Sequence, residues 1–343
     1  MRDKIVRNML IPGVVAVAVV IVPALLIQLR VIREYPAQII TLGALNAILA
    51  ISVNMVSGIT GQLSLGQAGF EALGAYAAVL LTQSLHVPLP VSILLGAMVA
   101  ALFGFLIGFP TLKLEGDYLA IVTLAFCEII RVVMVNLKSI TGGPNGMQFS
   151  TPFTASLRWG ATISYTSVML ALVLVVIFLQ NFLRSTYGRA ILAVREDEVA
   201  ANSNGISVFR YKMIGFVVAS FIAGLAGALY APFIGFIQPK DFDFNSSIND
   251  LIYVVLGGMG SITGGILAAF VLTALQEILR FLKDYRLLIY PVILVLVMLF
   301  RPQGLLGTKE LSFVKVYDGI PGFVRSVVLR LRGGKSAGKK EAD

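Results

Sequence analysis

Four ionisable side chains sit inside stretches that are otherwise apolar: Glu71, Glu128, Arg131 and Asp250. A charge at the centre of a bilayer costs roughly 2.5–3.5 kcal/mol on insertion scales, so such residues face a partner, a wet cavity or a solute path. Glu128 and Arg131 are three apart and share one helix face. They form either a self-satisfying pair near a membrane boundary or the lining of a cavity or gate. Glu71 and Asp250 have no opposite charge close in sequence and are the better cavity candidates. Asn46 and Asn54 suit hydrogen bonds between helices. These residues offer binding and passage of a polar solute.

Glycine and polar side chains interrupt the apolar pattern at two further places. Ser57–Phe70 reads SGITGQLSLGQAGF and brings together Gly61, Gln62, Ser64, Gln67 and the nearby Glu71. It is either a re-entrant or unwound segment at membrane depth, as in transporter paths, or an ordinary interfacial loop. A helix restarting near Ser64 or Gly66 would offer its positive dipole end to a carboxylate. Ile248–Leu275 is too long for one plain helix and carries Gly257-Gly258-Met259-Gly260 and Gly264-Gly265, which predicts a broken helix. Gly104 with Gly108, and Gly260 with Gly264, have the spacing of close helix contacts. Nucleotide motifs fail. Gly334-Lys335-Ser336 has Leu329 where a phosphate loop needs glycine, and Gly258-Met259-Gly260 is followed by Thr263 where a dinucleotide fingerprint needs its third glycine. A single cysteine, Cys127, and a single histidine, His86, exclude a disulfide framework and a His/Cys metal cluster. No cofactor or metal is expected, and a membrane-embedded enzyme lacks its Ser/His or His/Asp cluster.

The elements that position these residues must be membrane helices. The 343 residues are 57% hydrophobic and 13% charged, about half the charged share that a water-soluble surface needs. Apolar stretches near the roughly 20 residues that cross a bilayer recur at Leu10–Leu29, Pro36–Ser57, Gly66–Ser84, Val91–Phe109, Tyr118–Leu137, Thr162–Leu183, Met213–Ile237, Ile248–Leu275 and Leu287–Phe300. The fold class is all-α: a polytopic membrane protein of about 8 to 10 spans, at least one of them discontinuous or re-entrant. The formal charge of +9 follows the rule that Lys and Arg collect in cytoplasmic loops, and no aromatic-interleaved basic pattern points to nucleic acid. Basic residues gather at Arg2, Lys4 and Arg7, between Arg184 and Lys212, and in the tail 309–343. With a cytoplasmic N-terminus the central basic loop also falls inside. The basic tail would then end outside, so one crossing more or fewer is needed, with Ile248–Leu275 the suspect. The permease domain is 1–308, with a cytoplasmic loop at 184–212.

That loop mixes Ile191, Leu192, Val194, Val199 and Ala200 with Arg189, Arg195, Glu196, Asp197 and Glu198 before Gly205 closes it. It is either a solvated amphipathic helix or one that docks into a partner's groove. Glu198-x-Ala200-Ala201-x-x-x-Gly205 resembles the Glu-Ala-Ala loop by which ABC importer permeases contact their ATPases. The resemblance spans roughly 39–306. SGITGQLSLGQAGFEALGAYAAVLL, LKLEGDYLAIVTLAFCEIIR, SITGGPNGM, GRAILAVREDEVAANSNGI, VVLGGMGSITGG and RPQGLLG, in that order, are similar to the LivM-type permease family of branched-chain amino acid importers.

The resemblance implies a heteromeric importer in a bacterial or archaeal inner membrane. The chain would pair with a LivH-type permease, two ABC ATPase subunits and an extracytoplasmic substrate-binding protein. Glu198, Ala200, Ala201 and Gly205 would couple it to the ATPases, with both termini cytoplasmic. The translocation path is assigned from the residues alone to Gly61, Gln62, Ser64, Gln67, Glu71, Glu128 and Asp250. Two alternatives stand: the same family carrying urea or short-chain amides, and an ion-coupled secondary transporter using Glu71, Glu128 and Asp250 as coupling carboxylates. Within the tail, Ile320–Arg332 alternates apolar and basic residues and either lies on the anionic inner leaflet or is a disordered basic segment.

Overall fold

The computed structural model describes residues 20–29, 31, 33–114, 116–149, 157–281, 286–300, 304, 305 and 307. The N-terminal basic residues, the first part of Leu10–Leu29 and the tail 309–343 with its basic segment lie outside them. The helices are α1 (Glu34–Val53), α2 (Gln67–Ser84), α3 (Leu89–Thr111), α4 (Asp117–Asn136), the short α5 (Lys138–Thr141), α6 (Leu157–Arg184), α7 (Thr186–Glu196), α8 (Glu198–Ser203), α9 (Val208–Ile234), α10 (Phe244–Gly257), α11 (Ile262–Ile278) and α12 (Arg286–Phe300). Six of the described helical segments are long and apolar enough to cross a membrane by length and composition. The two-residue strands β1 (Met147–Gln148) and β2 (Phe236–Ile237) pair antiparallel, tying the segment after α5 to the end of α9.

Lipid tails are as apolar as leucine, so helices in a membrane associate through close packing and internal hydrogen bonds. Here α2, α3 and α9 meet through small residues. A methyl on Gly74 would overlap the Gly224 carbonyl, and one on Gly227 the Glu71 carbonyl. Gly96 lies against the Gly74 carbonyl, Gly104 against Ser220 and Gly108 against Phe216. The Gly104/Gly108 spacing therefore has the packing role expected of it. On the other side of α1, the Asn46 side-chain amide donates to Tyr253 at 3.3 Å and Thr273 at 2.9 Å, joining α1 to α10 and α11.

The path of the chain shows how Ile248–Leu275 is built. The Phe109 and Phe209 rings, 5.9 Å apart, place the end of α3 beside the start of α9, on the face that carries α7 and α8. Call this the loop face. Ile248–Leu275 is two helices in antiparallel sequence: α10 descends to the loop face, the chain reverses at 258–261, and α11 returns until Glu277 accepts a hydrogen bond from Tyr35 near the start of α1. Then α12 descends again, and the Leu305 N–H bonds the Leu256 carbonyl at 2.7 Å. With helical residues 20–28, the described residues hold ten principal helices, roughly consistent with the expected 8 to 10 spans, six of them long and apolar enough to cross a membrane. One reading is corrected. Gly260 and Gly264 do not share a helix face, because Gly260 lies in the reversal with φ +91° while Gly264 packs against Gly257 across the hairpin.

The glycine contacts separate two substitutions. Gly227→Ala forces a methyl into the α2 backbone and is expected to destabilise by roughly 1–3 kcal/mol. Gly265→Ala meets only the Ala50 Cβ at 3.9 Å, and is expected to leave stability unchanged or raised. Thermal melting of the purified protein in detergent checks both.

Candidate functional site

The first interruption begins where α1 widens into a π-helix over Asn54–Ile59. The Thr60 N–H reaches Met55 and the Gln62 N–H reaches Val56, each at 3.0 Å, so the backbone unwinds without losing its bonds at once. Residues 60–66 then run without helix, and α2 starts at Gln67. The unwound reading of Ser57–Phe70 is the observed one. Non-helical backbone is tolerated away from water only where protein groups satisfy it. Here the Leu65 N–H donates to the Thr123 hydroxyl at 3.1 Å, and Gly66 has no Cβ to collide with the Thr123 carbonyl. The N-terminus of α2 is partly filled by the chain itself: the Ala68 N–H donates to Ser247 Oγ at 3.4 Å and the Gly69 N–H to the Gly66 carbonyl at 3.1 Å. Those two donors are already engaged, which narrows the room for a solute carboxylate there.

The second interruption, at 258–261, meets the first. The Gly260 N–H donates to Asn54 Oδ1 at 2.8 Å, so the residue that opens the π-turn also caps the α10–α11 reversal. Ser261 Oγ accepts from the Gly264 N–H at 3.0 Å and starts α11. Gly258, with φ +110°, lies against the backbone of Gly304 and Gly307, which makes the stretch after α12 part of the same junction.

The seven path residues divide by burial. Gly61 lies at the loop face with φ +72°, against Arg195 of α7. Gln62, Ser64 and Gln67 follow along the unwound stretch, all buried, with Gln67 Oε1 accepting from Ser52 at 3.0 Å and its amide nitrogen unpartnered. Glu71 on α2 and Asp250 on α10 are also buried, and no hydrogen bond joins them; Asp250 Oδ2 has no hydrogen-bond partner. Glu128 is half-buried and follows Cys127, whose Cα lies 3.0 Å from where a Cβ on Gly69 of α2 would be. It pairs with Arg131 at 2.7 Å on the opposite face and lines an open pocket of about 560 Å³ with Val135, Lys240, Asp243 and Phe244. At 32% and 35% exposure the pair is a solvent-screened contact of small energy. In the same pocket, burial works to raise the Asp243 carboxyl, but hydrogen bonds from Ser246 and Asn245 outweigh it and hold Asp243 below its ordinary value.

The loop at 184–212 is two short helices. Ser185 caps α7, and Asp197, in extended conformation, breaks the run and caps α8 by accepting the Ala200 N–H at 2.9 Å. The expected single helix is corrected on this point: Asp197 prefers bonding the backbone ahead of it to continuing a helix. Gly205, with φ +79°, ends α8, and the Ile206 N–H bonds Ala201 at 3.0 Å. Ile191, Val194 and Ala201 face the membrane helices. Glu198, Ala200 and Gly205 are exposed, and Glu198 also forms an ion pair with Lys212 in the first turns of α9. Val199 is 77% exposed, the most outward apolar residue of the loop. Sequence reasoning missed the caps from Thr123 and Ser247 and the Lys212 anchor, which carry no local signal.

Comparisons with known proteins place the sequence in a family. The family model described as the permease component of branched-chain amino acid transport systems matches residues 35–300. The high-affinity branched-chain amino acid transport system permease protein LivM of Salmonella typhimurium is 40% identical over 294 residues, covering 78% of this chain and 69% of its own, and LivM of Escherichia coli has the same figures. LivH of Salmonella typhimurium is 26% identical, covering 80% of this chain and 95% of its own. No solved structure matches. With its unwound first path helix, its reversed α10–α11 pair and its two-helix loop, the chain belongs to the family of permease components of branched-chain amino acid transport systems.

Proposed function

We propose that the chain is one of two permease subunits of an ATP-driven importer that carries branched-chain amino acids across a bacterial or archaeal inner membrane. The observation that carries the reading is the loop α7–α8. It presents Val199, Ala200 and Glu198 outward while its inner side lies against the junction of both helix interruptions. A docking helix is of use only to a chain driven from outside itself. Two ATPases seat on the loop face, which is cytoplasmic, and a substrate-binding protein delivers solute to the opposite face. The likeness to LivH over nearly that protein's whole length supports a second permease built on the same plan. The solute passes along Gly61, Gln62, Ser64 and Gln67, with Glu71 and Asp250 deeper in the path and Glu128 at the outer pocket. No covalent step falls to this chain. The permease domain is 1–308, and the tail 309–343 follows on the cytoplasmic side.

Uptake in a strain lacking this gene tests the cargo and the drive together. Complementation by the wild-type chain restores leucine uptake, whereas restored urea uptake in its place makes the chain an amide permease. Uptake without the partner ATPases returns the reading to an ion-coupled transporter. Glu198→Ala frees α8 from Lys212 and lowers leucine uptake at unchanged membrane abundance. Val199→Glu touches little within the chain but places a charge in the docking contact. It is expected to weaken retention of the ATPases by on the order of thirtyfold, read by co-purification, with the permease level unchanged.

A further inference from the structure

The residue that joins the docking loop to the path is one that no sequence motif marks. Arg195 occupies the last turn of α7; it is exposed at the loop face, with its stem against Gly61 and its guanidinium beside Gly260. A Cβ on Gly61 would sit 3.1 Å from Arg195 Cγ, and one on Gly260 would sit 3.2 Å from Nη1 and 3.9 Å from Nη2. The Gly58 carbonyl oxygen is 3.6 Å from that same Gly260 point. The two glycines leave the space that the arginine fills. Both also have φ in the left-handed region, at +72° and +91°, so they are glycine for backbone and for side-chain reasons.

The electrostatics agree with the geometry. The π-turn after α1 ends at Ile59 and α10 ends at Gly257, so two helix C-termini, each worth about half a negative charge, converge here. Among the described residues Arg195 has no carboxylate partner within ion-pair distance. Its positive charge thus answers the two helix ends. Asn54 ties those ends together at 2.8 Å, so a displacement of either moves both.

We propose that Arg195 is the positioning residue that transmits movement of the α7–α8 loop to the inner end of the unwound segment 60–66 and to the α10–α11 reversal at once. This rests on reading the loop as the ATPase docking site. When the ATPases close and draw α7 with them, the guanidinium carries both helix ends, and the inner mouth of the path changes shape. The outward residues Val199 and Ala200 bind the partner, and Arg195 carries the movement inward.

The test uses the whole importer in liposomes, with ATP hydrolysis and leucine uptake measured on the same sample. Arg195→Ala retains its ATPases and hydrolyses ATP within about twofold of wild type, while uptake per ATP falls about tenfold or more; Arg195→Lys, which keeps the charge, recovers a large part of it. An unchanged ratio of uptake to hydrolysis in Arg195→Ala overturns the proposal. So does loss of the ATPases from that variant, which makes Arg195 a docking residue. Failure of the wild-type chain to retain ATPases instead removes the docking reading, before Arg195 is in question. A second measurement does not depend on how well the alanine variant folds. The Gly61 Cβ position lies 3.7 Å from Arg195 Cβ, within disulfide range, so Gly61→Cys with Arg195→Cys in a Cys127→Ser background forms a bond in oxidised membranes. Absence of the linked peptide from the mass spectrum overturns the contact itself.

Discussion

A backbone N–H or carbonyl with neither water nor a helical partner costs several kcal/mol in hydrocarbon, and this single constraint shapes the centre of the molecule. Two helices are interrupted, and each interruption exposes such groups. The chain resolves the difficulty by setting the interruptions against each other and lending them side chains from their neighbours. Asn54 serves Gly260, Thr123 serves Leu65, Ser261 serves Gly264, and the Leu305 N–H serves the Leu256 carbonyl. Moving either interruption alone would strand its partner. Irregular backbone is therefore held between the helices with its polar groups largely satisfied by the chain.

Around this centre the helices are held by shape. Three of them share an interface in which the backbone of one lies where a side chain of another would be, and the glycines at 74, 96, 224 and 227 make that approach possible. Close approach brings dispersion and weak Cα–H contacts into range, which replace the water-driven term that a membrane lacks. It also fixes the height of α2 against α9, and with it the level of Gln67 and Glu71. Gln67 and Glu71 are thus placed by backbone contacts of their own helix.

Much of this was legible in the sequence because glycine and polar residues in apolar runs have few uses. The two interruptions, the cross-helix role of Asn46 and Asn54 and the amphipathic character of the loop 184–212 were all visible as composition against background. What was hidden was pairing. Nothing near Asn54 says that its partner is Gly260, and nothing in GGMGS says whether the helix resumes in the same direction or turns back. The reversal depends on φ values at Gly258 and Gly260 that glycine permits but does not dictate. Glu128 was grouped with Glu71 and Asp250 because a carboxylate in an apolar run looks the same whether buried or half-exposed. Exposure and an ion-pair partner separate them, and Arg131 one turn on was the available clue. Asp197 carried its signal openly, as a cap residue between two helical runs, but its place in a charge-rich stretch read as solvation.

The junction of the two interruptions also imposes an order on synthesis. Asn54 and Gly260 are 206 residues apart, and at about 5–20 residues per second the ribosome needs on the order of 10–40 s to make the second after the first. Leu305, which closes the Leu256 carbonyl, comes later still. During that interval α1 is already in the bilayer with its inner end lacking the partner it has in the finished protein. The unwound stretch itself does not wait for the last helices, since Thr60 and Gln62 bond back into the π-turn and Leu65 bonds Thr123, all of which are made early.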